Sequence, residues 1–217
     1  MTLAIDLFWS FRSPYSYLAT PRLLEMEKRY DLTVNVRPVY PLAVRAGEFF
    51  RQVNPMWVSY FMRDTFRVAE MNGMPYRWPR PDPVVVDPKT LAAVPEQPYI
   101  FRLTRLGCAA AEVGRGLPFL YEAGHIIWSG EIDGWNEGDH LAKAAQRAGL
   151  DLGDLDRKIN ADPDKYDAIV QENQKAHKES GHWGVPTMAF QDEPFFGQDR
   201  IDVLLWRLKQ NGLKPRA

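Results

Sequence analysis

The chain has a single cysteine, Cys108, in 217 residues. That rules out an intrachain disulfide and any Cys-x-x-Cys pair for metal or redox work, and it fits a reducing compartment. An excess of positive charge is also missing, with 27 Lys and Arg against 28 Asp and Glu and no basic run, so nucleic acid is not an expected partner. No stretch approaches the roughly 18 to 20 apolar residues of a membrane span. The first nine residues lack a basic leader and carry Asp6 inside their apolar run, so they do not read as a signal peptide. The expectation is a cytoplasmic chain without membrane contact. The four histidines lack ligand spacing, since His177 and His182 stand five apart with no carboxylate pattern around them, and no metal is expected.

What is present is the composition of an ordinary globular protein, 45% hydrophobic and 25% charged. Residues 3 to 9 are apolar and β-prone and stop at Ser-Phe-Arg-Ser-Pro, as a buried strand entering a turn does. Ser13 followed by Pro14 starts a helix running to about Tyr30, with serine as cap and proline at the first position. Asp31 to Val39 alternates apolar and polar residues and completes a β-α-β unit with parallel strands. Helical patterns follow over Trp57 to Asn72, Tyr99 to Glu112, Gly116 to Ser129, Asp139 to Ala148 and Asp164 to Ser180, with a proline-rich connection from Met74 to Pro98. Strand character returns at Pro186 to Phe190. A turn is expected at Gln191 to Pro194, then a short Phe195-Phe196 element, then a helix opened by Gly197-Gln198-Asp199. The order predicts an α/β thioredoxin-like fold, residues 1–40 and 181–217, interrupted by an inserted α-helical domain, residues 41–180.

Three segments carry chemistry: Phe11 to Leu18, Trp183 to Thr187, and Phe195 to Arg200. A helix start at Ser13 offers unpaired N–H groups and the positive end of the helix dipole, which together stabilise a thiolate. Serine is not ionised at neutral pH and forms no mixed disulfide, so any sulfur at this place is brought in by a ligand. A capping serine is an ordinary helix feature in its own right. Gly197-Gln198-Asp199 opens the last helix, with Asp199 as a capping residue. His182 lies close to the Val185-Pro186 dipeptide and reads as a loop histidine with access to whatever binds there. Cys108 sits in a Gly-Cys-Ala-Ala helical context as a small buried residue.

In this order, with an insert between them, the three segments resemble the glutathione-dependent 2-hydroxychromene-2-carboxylate isomerases and their relatives, the kappa-class glutathione transferases. Ser13-Pro14-Tyr15-Ser16 stands where related disulfide oxidoreductases carry Cys-Pro-x-Cys. The resemblance implies glutathione as cofactor, activated as thiolate by Ser13. It makes Val185-Pro186 the cis-proline loop that pairs with the cysteinyl backbone, and it assigns Phe196, Gly197, Gln198 and Asp199 to the γ-glutamyl end. It further implies an unsaturated aromatic acid as substrate, isomerised by reversible thiolate addition, with Arg45, Arg51 and Asn54 as substrate contacts, and a homodimer. A conjugating or peroxidatic use of the same thiolate, and a non-catalytic ligand carrier, remain alternatives. The Arg45 to Asn54 stretch lacks a clear polar glycine-asparagine loop, and Trp78 to Pro88 departs again from the naphthalene-pathway enzymes.

Overall fold

The computed structural model describes residues 2–47, 52–87 and 92–216. Strand β1 (Leu3–Trp9) leads through a tight turn to α1 (Pro14–Arg29) and β2 (Leu32–Pro38). A one-turn helix α2 (Leu42–Arg45) and the helices α3 (Pro55–Met71), α4 (Ile100–Glu112), α5 (Gly116–Trp128), α6 (His140–Arg147), α7 (Leu152–Ala161) and α8 (Pro163–Glu179) follow. The chain closes with β3 (Thr187–Phe190), β4 (Glu193–Phe196), a 3₁₀ turn (Gln198–Arg200) and α9 (Ile201–Gln210). The strands form one sheet of order β2-β1-β3-β4. β1 and β2 are parallel, as the intervening helix requires, and β3 runs antiparallel to both β1 and β4.

The alternation in β1 divides its side chains between two faces. Ile5, Leu7 and Trp9 enter the main core, where α1, α4 and α5 supply Leu18, Leu23, Leu106, Phe119 and Leu120. Phe8 points the other way and joins Val39 and Ala189 in a smaller cluster, with the buried His177 of α8 stacked on its ring at 4.5 Å. α8 is tied to β2 by the Asn173 side-chain amide, which donates to the Pro38 carbonyl at 3.0 Å. In α9 the spacing predicts an apolar face of Ile201, Leu204, Leu205 and Leu208; Ile201, Leu204 and Leu208 are buried and Leu205 is half-buried.

The one-turn helix α2 was not expected, and two further features differ from the sequence reading. Pro194 lies inside β4 and not in the turn, which is only Gln191-Asp192, with Gln191 at φ 54°. β4 is an edge strand, where a residue without an N–H costs no ladder hydrogen bond. Helix α7 was not foreseen because its sequence is mostly polar. It is started by Asp151, whose carboxylate accepts from the Asp154 N–H at 2.8 Å, and it buries only Leu155 and Ile159.

The proline-rich stretch between α3 and α4 is pinned from several sides. Tyr17 donates its hydroxyl to the Pro75 carbonyl, Trp135 its indole N–H to that of Pro81, and Gln97 bonds Val85 and Val94. These bonds carry Trp78 and Asp82 back to the start of α1.

Candidate active site at the start of the first helix

The turn between β1 and α1 is held by indoles. Trp128 donates to the Phe11 carbonyl at 2.9 Å, and Trp9 to the Ser16 carbonyl and the Thr20 hydroxyl, both at 3.0 Å. Trp9 and Phe11 meet edge to face at 4.8 Å. On this support Ser13 takes extended backbone angles and caps α1, its Oγ accepting from the Ser16 N–H at 3.2 Å. Its hydroxyl donates to the Val185 carbonyl, also at 3.2 Å. One hydroxyl proton serves one acceptor at a time, so a sulfur placed here competes with that carbonyl for it.

Two backbone donors near Ser13 are open. The Tyr15 and Val185 N–H groups have no acceptor among the described residues. The Val185–Pro186 peptide is cis, and the Pro186 carbonyl is taken by the Gly197 N–H at 2.9 Å. Val185 thus presents one free N–H and one weakly held carbonyl beside Ser13, the pair of groups that an added extended segment needs. Gly184, just before it, has no room for a side chain, since a Cβ would come within 2.4 Å of the Phe196 ring. Ser16, three residues on, is fully buried, and its hydroxyl and that of Ser10 have no partner among the described residues.

A cavity of about 290 Å³ opens over Ser13. Six aromatic side chains, Tyr15, Trp57, Phe61, Trp78, Trp183 and Phe196, line it. The charge on its lining belongs to Arg12, which is paired bidentately with Asp82 at 2.8 and 2.9 Å and lies over the Trp78 ring at 5.6 Å. Tyr15 and Phe196 also line a second recess of about 400 Å³ with Tyr60, Asp64, Gln198 and Asp199. There the Tyr15 hydroxyl donates to Asp64 at 2.6 Å, linking α1 to α3. Burial and then the Asp64 carboxylate hold the Tyr15 hydroxyl far above its ordinary pKa, so it stays protonated. Gly197, at φ 104°, brings Asp199 over its own backbone, and the N–H groups of Gln198 and Asp199 are open among the described residues.

Of the residues singled out from sequence, Ser13, Val185 and Phe196 line the central cavity, with Pro186 directly following, and Phe196, Gly197, Gln198 and Asp199 line the recess. Arg45 lies elsewhere, in a third cavity of about 440 Å³ that shares Trp183 with the central one. Its Nε donates to the Tyr40 carbonyl at 2.8 Å and its Nη2 to that of Trp183 at 2.5 Å. Asn54 caps α3 by accepting from the Met56 N–H at 2.9 Å and is not part of the cavity lining. Arg51 lies outside the described residues. His182 accepts the Gly184 N–H on Nδ1 at 2.9 Å and stacks on Phe196 at 4.0 Å, so it shapes the loop beside Ser13.

Sequence reading missed Arg12, Tyr15, Asp64 and Asp82. The first two stood inside the Phe11 to Leu18 segment and were passed over. Nothing local marks Asp64 or Asp82, which reach the site only through the paths of α3 and the proline-rich stretch. Among the described residues no group of three or more His, Cys, Asp or Glu is arranged to hold a metal, and no helix is long and apolar enough to cross a membrane. Cys108 is buried, and burial pushes its thiol up to about 12, so it is not a reactive thiol.

The chain is 28% identical over 213 residues to a 2-hydroxychromene-2-carboxylate isomerase of Sphingobium xenophagum, covering 94% of this chain and 97% of the relative. A protein of the same name from Pseudomonas putida is 25% identical, with 93% and 92% covered. Among solved structures, a 2-hydroxychromene-2-carboxylate isomerase superposes with a TM-score of 0.67 at 23% identity, over 96% of this chain and 95% of that one. The model of the DSBA-like thioredoxin domain matches residues 4–209, nearly the whole chain. The protein belongs to the family of DSBA-like thioredoxin domains.

Proposed function

We propose that the protein is a glutathione-dependent cis-trans isomerase of the 2-hydroxychromene-2-carboxylate isomerase type, acting on an unsaturated aromatic acid. The observation that carries this reading is the set of groups at Ser13: a capping hydroxyl bonded to the Val185 carbonyl, with the Tyr15 and Val185 N–H groups open among the described residues, and serine instead of cysteine at the helix start. Donors without a nucleophile of their own fit a thiol that arrives with a ligand. Two full-length relatives carrying the isomerase name support the reaction class.

The residues fit glutathione in particular. Val185 offers a donor and an acceptor to the cysteinyl backbone. Open N–H groups at Gln198 and Asp199 suit the α-carboxylate of the γ-glutamyl end, and the Asp199 and Asp64 carboxylates suit its ammonium. When bound, glutathione supplies a sulfur nucleophile whose reversible addition to a carbon–carbon double bond permits rotation, and whose elimination restores the thiol.

Ser13 and the Tyr15 N–H lower the energy of the thiolate by hydrogen bonding, aided by the dipole of the sixteen-residue α1. The aromatic wall orients a flat substrate and keeps water from the sulfur. Arg12, neutralised by Asp82, stiffens that wall at Trp78.

The test is a spectrophotometric assay of geometric isomerisation of ring-opened aromatic acids with glutathione below the substrate concentration. Turnover should require glutathione and leave its concentration unchanged. Stoichiometric loss of glutathione would replace the isomerase by a conjugating or peroxidatic enzyme, and turnover without glutathione would end the thiolate reading.

A further inference from the structure

Arg12 is the only charged side chain among the described residues that line the central cavity; neither Arg45 nor Asn54 is in that lining. A guanidinium holds five N–H donors in one plane. Asp82 takes the Nε and Nη2 donors on the side edge, at 2.8 and 2.9 Å, and the Trp78 ring lies with its centroid 5.6 Å from Cζ. Nη1 has no acceptor among the described residues, so the end edge, one N–H from each Nη, is open. The Arg12 side chain is only 16% exposed, which leaves little water to occupy that edge.

The pair is held rigidly. Just before Asp82, the Pro81 carbonyl accepts from the Trp135 indole at 2.8 Å and the Arg80 carbonyl from the Gly134 N–H at 2.9 Å. Just before Arg12, the Phe11 carbonyl accepts from Trp128, whose ring meets Trp78 edge to face at 5.3 Å. A guanidinium fixed in this way loses little freedom when a ligand arrives. Asp82 also accepts from the Val84 N–H at 2.9 Å and the Trp78 indole at 3.2 Å. These two neutral donors draw its charge away from the guanidinium and lessen its repulsion of a second anion.

We propose that the open edge of Arg12 recognises the carboxylate of the acid substrate, so that the Arg12–Asp82 pair determines the specificity of the cavity. The inference rests on the isomerase reading for the kind of substrate and adds the residue that tells an acid from its neutral analogue. A carboxylate fits the end edge because both are planar forks, two acceptors meeting two donors. An amide offers one acceptor and turns its own N–H donors towards the second N–H of that edge. Arg12 directly precedes Ser13, which favours acids whose carboxylate stands close to the double bond over those that carry it at the far end of the ring system. A purely structural pair would tie the proline-rich stretch to the start of α1 whatever the ligand, so ligand preference is the readout that separates the two roles.

Calorimetric titration of the full chain with trans-cinnamate and with trans-cinnamamide tests the assignment. Wild type should bind the acid about ten- to hundredfold more tightly than the amide, the range for a charge-assisted hydrogen bond. Removing Arg12 alone strands Asp82 without its cation and endangers the fold. The double variant Arg12→Gln with Asp82→Asn replaces the ion pair by a neutral hydrogen-bonded one and should bind acid and amide alike, with S-methylglutathione binding unchanged. Arg12→Lys keeps the charge and loses the planar fork, and its preference for the acid should shrink to a few-fold.

Equal binding of acid and amide by wild type, or binding of neither, would overturn the assignment. So would a double variant, folded by circular dichroism, that keeps the wild-type preference, since the carboxylate would then belong to another cation. Loss of S-methylglutathione together with cinnamate in the double variant would make the pair structural and overturn the assignment equally. If wild type fails to bind S-methylglutathione but shows the acid preference, and the double variant loses it, the glutathione reading falls and Arg12 stands as a carboxylate site.

Discussion

The two sides of the Ser13 cavity are built from different materials. On one side, β1, the start of α1 and the segment Gly184 to Gly197 contribute backbone groups: the Tyr15 and Val185 amides, the Val185 carbonyl and two glycines against which rings or carboxylates press. On the other, α3 and the proline-rich stretch contribute side chains, Trp57, Phe61, Trp78 and, behind them, Asp64 and Asp82. Backbone donors held by a sheet have fixed direction and cost nothing to orient when charge develops, so they suit the step common to every substrate. Side chains on helices change freely with substitution and suit recognition of one substrate. Changes on the first side should therefore act on thiol activation whatever the acid, and changes on the second should sort among acids.

The largest effect is expected at Ser13. Ser13→Ala removes the hydroxyl donor and the cap while leaving the Tyr15 amide in place, and turnover should fall about a hundredfold, the loss seen when one preorganised donor is removed. Stability should fall by only about 1 kcal/mol, the worth of a helix cap. A denaturant titration beside the isomerisation assay separates the two. A Ser13→Ala protein with wild-type turnover at saturating glutathione would leave Ser13 as a cap alone.

Next comes Gly184→Ala. The added methyl meets Phe196 Cε2 at 2.4 Å and Cζ at 2.8 Å, within a ring that is also stacked on His182. Overpacking of this kind costs about 1 to 3 kcal/mol. Because the displaced loop carries Val185, glutathione binding measured by calorimetry should weaken by about tenfold for every acid substrate alike. A selective effect on one acid would contradict the division drawn above.

The same contrast explains what could be read from the sequence. β1, α1 and β2 declared themselves by alternation and by the Ser13-Pro14 cap, signals contained in a few adjacent residues. The backbone groups of the site came with them, because a helix start or a glycine turn carries its donors wherever it falls. The side-chain wall did not, since its pairs join distant positions: Arg12 to Asp82 is 70 residues, Tyr15 to Asp64 is 49, and Arg45 to the Trp183 carbonyl is 138. No period or spacing encodes such a pair. Arg45 illustrates the limit, since its type and its place after β2 were legible, while the cavity it faces was decided by α8, which brings Lys178 and His177.

His177 sharpens the comparison from beneath the loop. It is 1% exposed, stacked on Phe8, and burial, with the Arg45 charge adding to it, pushes it down to about 3 from an ordinary 6.5. The unfolded chain binds a proton on this residue between those values and the folded chain does not. Its contribution to stability is therefore complete above pH 6.5 and is lost as pH falls towards 3, by about 1.4 kcal/mol per pH unit. Between pH 7 and pH 5 that amounts to about 2 kcal/mol. His177→Phe keeps an aromatic ring against Phe8 and removes the titration, so its denaturation midpoint should be flatter over this range than that of wild type. An equally steep acid loss in His177→Phe would assign the acid sensitivity to other groups.

The smallest effect is expected on the side-chain wall, at Asp82→Asn. The side chains of Arg12 and Asp82 are 16% and 24% exposed, so water screens the pair and its loss should cost about 1 kcal/mol, below the figure for a fully buried pair. The asparagine keeps one oxygen, which can accept from the Val84 N–H as Asp82 Oδ1 does at 2.9 Å, and gives up the acceptor that Oδ2 offers the Trp78 indole at 3.2 Å. The local fold should persist. What changes is the charge facing the ligand: Arg12 is neutralised in the wild-type cavity and would carry an unbalanced positive charge in the variant. A carboxylate substrate should then bind a few-fold more tightly, with KM falling and glutathione affinity unchanged. An amide analogue of the same acid should gain nothing. If both ligands gain alike, Asp82 acts by shaping the Trp78 wall, and the electrostatic part of the argument fails there.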